Sequence, residues 1–150
     1  MTRLPETVLF ACTYNHVRSP MAAALMRQMF GHQVFVDSCG LKPRRTGEGD
    51  PLAAAVLDEI GLGLAGHRPK SFDDLEETFD LVISLTAEAH DRAIELSRGR
   101  AVALEYWPTA DPTLGEERSR EAALMDYRQL REGLRAHLKA RFGAPSTPGG

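Results

Sequence analysis

Cys12, Arg18 and Ser19 stand within one short run, Cys12-Thr13-Tyr14-Asn15-His16-Val17-Arg18-Ser19-Pro20, and these residue types suit nucleophilic chemistry on an anion. Cysteine attacks as its thiolate, the form favoured by the positive field of loop amides and a helix N-terminus. Arginine's planar fork grips two oxygens of a phosphate-like group at once, which lysine does not. The residues from Thr13 to Val17 are enough for the backbone to curl with several N–H groups pointing inward at one anion, the sulfur lying beneath it. In this reading Cys12 attacks, and Thr13, Tyr14, Asn15, His16, Val17, Arg18 and Ser19 bind the anion. Ser19 has a second task, donating a hydrogen bond to the sulfur when it becomes a leaving group. Asn15 suits such a loop, because asparagine tolerates the left-handed backbone region.

A loop of this kind needs a strand to deliver the cysteine and a helix to receive the arginine. Val8-Leu9-Phe10-Ala11, Val34-Phe35-Val36, Leu81-Val82-Ile83 and Ala101-Val102-Ala103-Leu104 are short unbroken apolar runs, which predict strands of a parallel sheet covered on both faces. Helical spacing appears in Ala22, Leu25, Met26 and Met29 from Pro20 to Phe30. It recurs in Leu52, Val56 and Ile60 from Pro51 to Ile60, closed by Gly61. A weaker helix starts near Thr86. The last, about Ser119 to Arg141, carries Leu124, Tyr127, Leu130, Leu134 and Leu138 as one core stripe, with arginines on a face that reads as solvated. The alternation predicts a doubly wound α/β domain: a four-stranded parallel sheet flanked by helices, flavodoxin-like, with its ligand at the carboxyl ends of the strands near the topological switch point. Residues 1–142 are expected to form that domain and 143–150 a flexible tail.

Composition narrows the function classes. With 43% hydrophobic and 26% charged residues, disorder, collagen-like repeats and disulfide scaffolds are disfavoured. A formal charge of −3 gives no general attraction to nucleic acid or an anionic membrane, so an anion site must be local. Only two cysteines occur and no basic-then-apolar leader opens the chain, which points to a reducing, cytoplasmic setting. The apolar stretches fall far short of a membrane span.

Val8 to Pro20 resembles the signature of the low-molecular-weight protein tyrosine phosphatases and the related arsenate reductases. The resemblance continues through Asp37-Ser38 after the second strand, Asp50-Pro51, Gly61, His67, Phe79-Asp80 and Asp111-Pro112, covering most of the chain. It implies that Asp111 is the general acid that protonates the leaving oxygen and then the base that activates water. It also implies that Asn15, Ser19, Ser38 and His67 form the hydrogen-bond network that holds the loop. Three departures stand out. Tyr14 replaces the usual glycine, Val17 replaces a frequent second cysteine and so removes a protective disulfide, and Thr113-Leu114 replaces an aromatic pair. Tyr14, Trp107 and Leu114 are then the apolar groups placed to wall a replacement slot, although Trp107 reads equally as core. Cys39 follows a strand expected beside the first and reads either as a neighbour of Cys12 or as a packed small residue.

The reading that joins these residues is phosphomonoester hydrolysis through a cysteinyl-phosphate, without metal or cofactor, on a phosphorylated protein or small aryl phosphate. The alternative on the same fold is a thiol-coupled arsenate reductase. A third, from another class, is a non-catalytic oxyanion-binding or redox-sensing module, against which intact Cys12, Arg18 and Asp111 argue.

Overall fold

Val8, Leu9, Phe10 and Ala11 have no polar alternation because both faces of their strand are covered, and all four are buried. The computed structural model describes residues 4–44, 49–64, 66–113 and 119–143. In chain order its elements are β1 (Thr7–Cys12), α1 (Arg18–Phe30), β2 (Phe35–Gly40), α2 (Pro51–Asp58), β3 (Leu81–Ser84), α3 (Ala87–Ser97), β4 (Ala103–Tyr106) and α4 (Arg120–Phe142), with a 3-10 turn at Phe72–Asp74. The sheet is wholly parallel in the order β2-β1-β3-β4. The chain therefore reverses its direction of winding between β1 and β3, and the carboxyl ends of those strands form the crevice where such folds bind ligands.

The two faces of the sheet are unequal. Val8 and Phe10 face a large core shared with Met21, Leu25, Met26, Val56, Leu57, Leu134 and Leu138, under α1, α2 and α4. Leu9, Ala11, Cys39, Phe79 and Val82 face a smaller cluster under Ala89 and Ala93 of α3. Tyr127 and Leu138 of the expected α4 stripe are buried, and Leu124 and Leu130 pack against the same core. The Tyr127 hydroxyl donates to Asp50 Oδ2 at 2.7 Å, while Asp50 Oδ1 caps α2 by accepting from the amides of Leu52 and Ala53.

Several expectations shift. Helix α1 begins at Arg18 rather than Pro20, which occupies the first turn where its missing N–H leaves no bond unmade. Asp37, Ser38 and Cys39 lie inside β2 rather than after it, paired with Leu9, Phe10 and Ala11. Strand β4 starts two residues late, because Val102 closes a turn onto the Arg100 carbonyl before pairing begins at Leu81 and Ala103. The arginine face of α4 is not simply solvated: Arg131 Nη1 donates to the Val56 carbonyl and to Glu59 Oε1, both at 2.7 Å, and Arg128 pairs with the same Glu59. Of the tail expected at 143–150, Gly143 caps α4, its amide donating to the Lys139 carbonyl at 2.9 Å, and residues 144–150 lie outside the described residues. Among the described residues no helix is long and apolar enough to cross a membrane.

Candidate active site

Strand β1 ends at Cys12 and α1 begins at Arg18, so the intervening residues form a strand-to-helix loop at the carboxyl edge of the sheet. Its carbonyl side is already paired. The amides of Leu41, Lys42 and Arg44 donate to the carbonyls of Cys12, Thr13 and Tyr14 at 3.0, 2.7 and 3.0 Å. The amides of Tyr14, Asn15, His16 and Val17, by contrast, meet no acceptor among the described residues. A loop whose carbonyls are turned to neighbours and whose N–H groups are left over is an anion receptor, and the positive end of α1 adds to it. Gly40 allows this close approach: a Cβ there would lie 2.6 Å from the Asn15 amide nitrogen and 2.9 Å from the Tyr14 carbonyl carbon.

Asn15 is the pivot. It is fully buried and has φ 51°, the left-handed value expected of it. Its Nδ2 donates to Ser19 Oγ at 2.9 Å and to Ser38 Oγ at 3.0 Å, its Oδ1 accepts from the Lys70 amide at 3.0 Å, and its carbonyl accepts from His67 Nε2 at 2.9 Å. Every polar group of the side chain is thus satisfied, which fixes a backbone conformation that would otherwise be costly. Burial holds the His67 imidazole below its ordinary pKa, and its bond to the Asn15 carbonyl pulls the other way.

Ser19 Oγ accepts from Asn15, lies 2.9 Å from Cys12 Sγ and 3.2 Å from the Cys39 carbonyl. A hydroxyl has one proton to give. When Cys12 is a thiol it donates to Ser19, which donates to the Cys39 carbonyl; when Cys12 is a thiolate, Ser19 turns its proton to the sulfur. The serine is therefore built to follow the charge on Cys12.

Arg18 Nη1 donates to the Thr109 carbonyl at 2.9 Å, and its Nη2 lies 3.6 Å from Asp111 Oδ2. Asp111 Oδ1 accepts from the amide and hydroxyl of Thr113 at 2.8 and 2.7 Å. These contacts bring an acid 93 residues away in sequence to the arginine of the loop, and a small pocket results, lined by Cys12, Tyr14, His16, Val17, Arg18, Arg44, Asp111 and Thr113. It brings together a thiol, a guanidinium, a carboxyl group and loop amides that meet no acceptor among the described residues.

Most residues expected from the sequence converge here, with Ser38 and His67 one layer behind through Asn15. Trp107 does not. It is buried in the core with an edge-to-face contact to Phe10 and a stack on His137, and its Nε1 donates to Glu105 Oε1 at 3.1 Å. Leu114 lies outside the described residues. Cys39 lies beside β1, but its register partner is Ala11 and it shares the α3 face of the sheet, opposite Cys12. Burial pushes its thiol well above the usual cysteine range, and the neighbouring Cys12 and Asp37 add to this. Arg44, Gly40 and Lys70 carry no signal in the sequence that marks them for this site. Lys70 also pairs with Asp37 through Nζ at 2.8 Å, tying its segment to β2.

The chain matches the model of the family described as low molecular weight phosphotyrosine protein phosphatase over residues 7–139. A low molecular weight protein-tyrosine-phosphatase of Streptomyces coelicolor is 42% identical over 94 residues, 58% of this chain and 56% of that one. An arsenate reductase of Staphylococcus saprophyticus is 30% identical over 126 residues, 83% of this chain and 92% of the relative. Among solved structures, the YwlE arginine phosphatase of Geobacillus stearothermophilus superposes with a TM-score of 0.72 at 28% identity, covering 93% of this chain and 91% of that one.

Proposed function

The chain belongs to the low molecular weight phosphotyrosine protein phosphatase family, and we propose that it hydrolyses phosphate monoesters, aryl esters foremost, through a cysteinyl-phosphate on Cys12. The observation that carries this reading is a single pocket lined by Cys12, Arg18 and Asp111, with the Arg18 guanidinium 3.6 Å from the Asp111 carboxyl and the Ser19 hydroxyl against the Cys12 sulfur. The loop amides and Arg18 hold the equatorial phosphate oxygens. The Cys12 thiolate attacks phosphorus, the bond to the leaving oxygen breaks, and Asp111 delivers the proton that oxygen needs. Asp111 then takes a proton from water as that water attacks, the sulfur–phosphorus bond breaks, and Ser19 donates to the thiolate released. The phosphate charge is met by amides and the Arg18 guanidinium, so no metal ion is needed to bind it. An aryl leaving group is supported by the Tyr14 ring at the pocket wall, which is 41% exposed.

The arsenate reductase relative raises the alternative of arsenate reduction. Arsenate fits the same receptor, but its reduction consumes two electrons, and a self-contained thiol relay needs further cysteines within reach of the first. Here the one other cysteine is buried on the opposite face of the sheet. Arsenate is therefore expected to compete with an aryl phosphate without being reduced by thioredoxin alone. Asp111→Asn decides between the two. It is expected to slow hydrolysis roughly a hundredfold for a phenol-like leaving group and less for better leaving groups. Unchanged hydrolysis, with arsenite formed as fast as phosphate in a physiological thiol, would replace the phosphatase reading.

A further inference from the structure

Arg44 lines the same pocket as Cys12, Arg18 and Asp111, yet it is not spoken for by the reaction just described. Its position is set twice over. Its amide donates to the Tyr14 carbonyl at 3.0 Å, continuing the pairing that Leu41 and Lys42 make with Cys12 and Thr13. Its guanidinium carbon lies 5.4 Å from the centroid of the Tyr14 ring, a cation–π contact that orients the head group without neutralising it.

The charges around the pocket do not balance. Arg18 faces Asp111 and donates to the Thr109 carbonyl. No described carboxylate lies within ion-pairing distance of Arg44, and Asp111 is the one acid among the described residues lining the pocket. With substrate bound, the phosphate is met by Arg18 and the loop amides, which leaves the Arg44 charge over. An oriented guanidinium with no carboxylate partner among the described residues, at the mouth of an anion site, is suited to recognise a second anion.

We propose that Arg44 selects phosphate esters whose leaving group carries a further anionic group, a carboxylate or second phosphate, beyond a ring that packs against Tyr14. The inference rests on the phosphatase reading and names its substrate class. The same chemistry arises from an acidic residue beside a phosphorylated side chain in a peptide or from a small anionic aryl phosphate.

The test compares phenyl phosphate bearing a para carboxylate with its carboxamide counterpart, in wild type, Arg44→Ala and Arg44→Lys. The readout is the ratio of kcat/KM for the two esters. Its change between wild type and variant cancels the intrinsic difference between the leaving groups. Because Arg44 is exposed, the expected fall in that ratio for Arg44→Ala is roughly three- to tenfold, with Arg44→Lys between and the preference narrowing at high salt. A ratio unchanged by Arg44→Ala overturns the inference. So does an equal loss on both esters, which would mean that Arg44 serves the phosphoryl group itself. Turnover of the neutral ester keeps the phosphatase reading intact in either case, whereas no turnover of either ester by wild type sinks both. Phosphotyrosine peptides with glutamate or glutamine next to the phosphorylated residue separate the sources: a preference for glutamate lost in Arg44→Ala points to the peptide, and a preference confined to the phenyl ester points to the small molecule.

Discussion

The hydroxyl of Ser19 lies 2.9 Å from the sulfur of Cys12 and accepts from Asn15 Nδ2 at the same distance, so the residue that contacts the Cys12 sulfur is itself held by the pivot of the loop. Removing the hydroxyl leaves attack possible but deprives the departing sulfur of its donor. Ser19→Ala is expected to slow turnover by roughly tenfold or more, with the loss in breakdown of the phosphoenzyme. Rapid-quench measurements with a chromogenic aryl phosphate should then show a pronounced burst of phenol. A slow first turnover without a burst would place Ser19 in the attack step instead.

Gly40, the last residue of β2, lies directly against the loop. Its substitution is a steric test, since an added Cβ meets the Asn15 backbone rather than a flexible side-chain tip. Gly40→Ala is expected to cost about 1–3 kcal/mol of stability through forced backbone shifts and to lower kcat more than tenfold. Denaturant unfolding and steady-state kinetics measure both. Wild-type behaviour would mean that the loop tolerates displacement.

His67 links stability to pH. Burial lowers its folded-state pKa beneath the ordinary 6.5, so below that value the unfolded chain binds more protons than the folded one. Its contribution is therefore fully present above about pH 6.5 and is lost as pH falls through that value toward the folded pKa. In His67→Gln, which keeps a donor for the Asn15 carbonyl, unfolding free energy should fall less steeply across that window. Parallel pH profiles for the two proteins would contradict the assignment.

Cys39 and Cys12 occupy opposite faces of the sheet, and Val17 stands where a partner cysteine would be needed within the loop. Peroxide is expected to inactivate the protein without forming an internal disulfide, and recovery should depend on an external thiol. Wild type and Cys39→Ser should recover equally after equal exposure. Faster recovery of wild type would show that the backbone opens far enough to join the two sulfurs.

The local part of the site was legible in the sequence because it is written in consecutive residues. Cys12 to Pro20 specifies a strand end, a curled loop and a helix start, and the asparagine that tolerates a positive φ stands at the position that has one. What the sequence hid depends on pairing between distant segments. Arg44 and Lys70 act partly through backbone amides that bond the loop, and Gly40 acts through the absence of a side chain, so their residue types carried little signal. Trp107 was open between core and cleft for a related reason. It precedes the segment carrying Asp111, but nearness along the chain does not say which way a side chain turns, and its large ring fills the core beside Phe10. The β4 boundary slipped because Ala101 and Val102 are apolar like the strand they precede, yet a tight turn claims them before pairing starts.

Cysteinyl-phosphate chemistry at Cys12 is tested by hydrolysis of a chromogenic aryl phosphate by wild type and Cys12→Ser, in reductant and chelator, with phosphate binding to both proteins measured by calorimetry. Wild type should turn over in chelator, because amides and Arg18 carry the phosphate charge. Cys12→Ser should bind phosphate but lose turnover by several orders of magnitude, since a serine hydroxyl keeps the shape of the site without supplying an ionised nucleophile. Turnover that requires an added metal, or that persists in Cys12→Ser, would contradict the central claim.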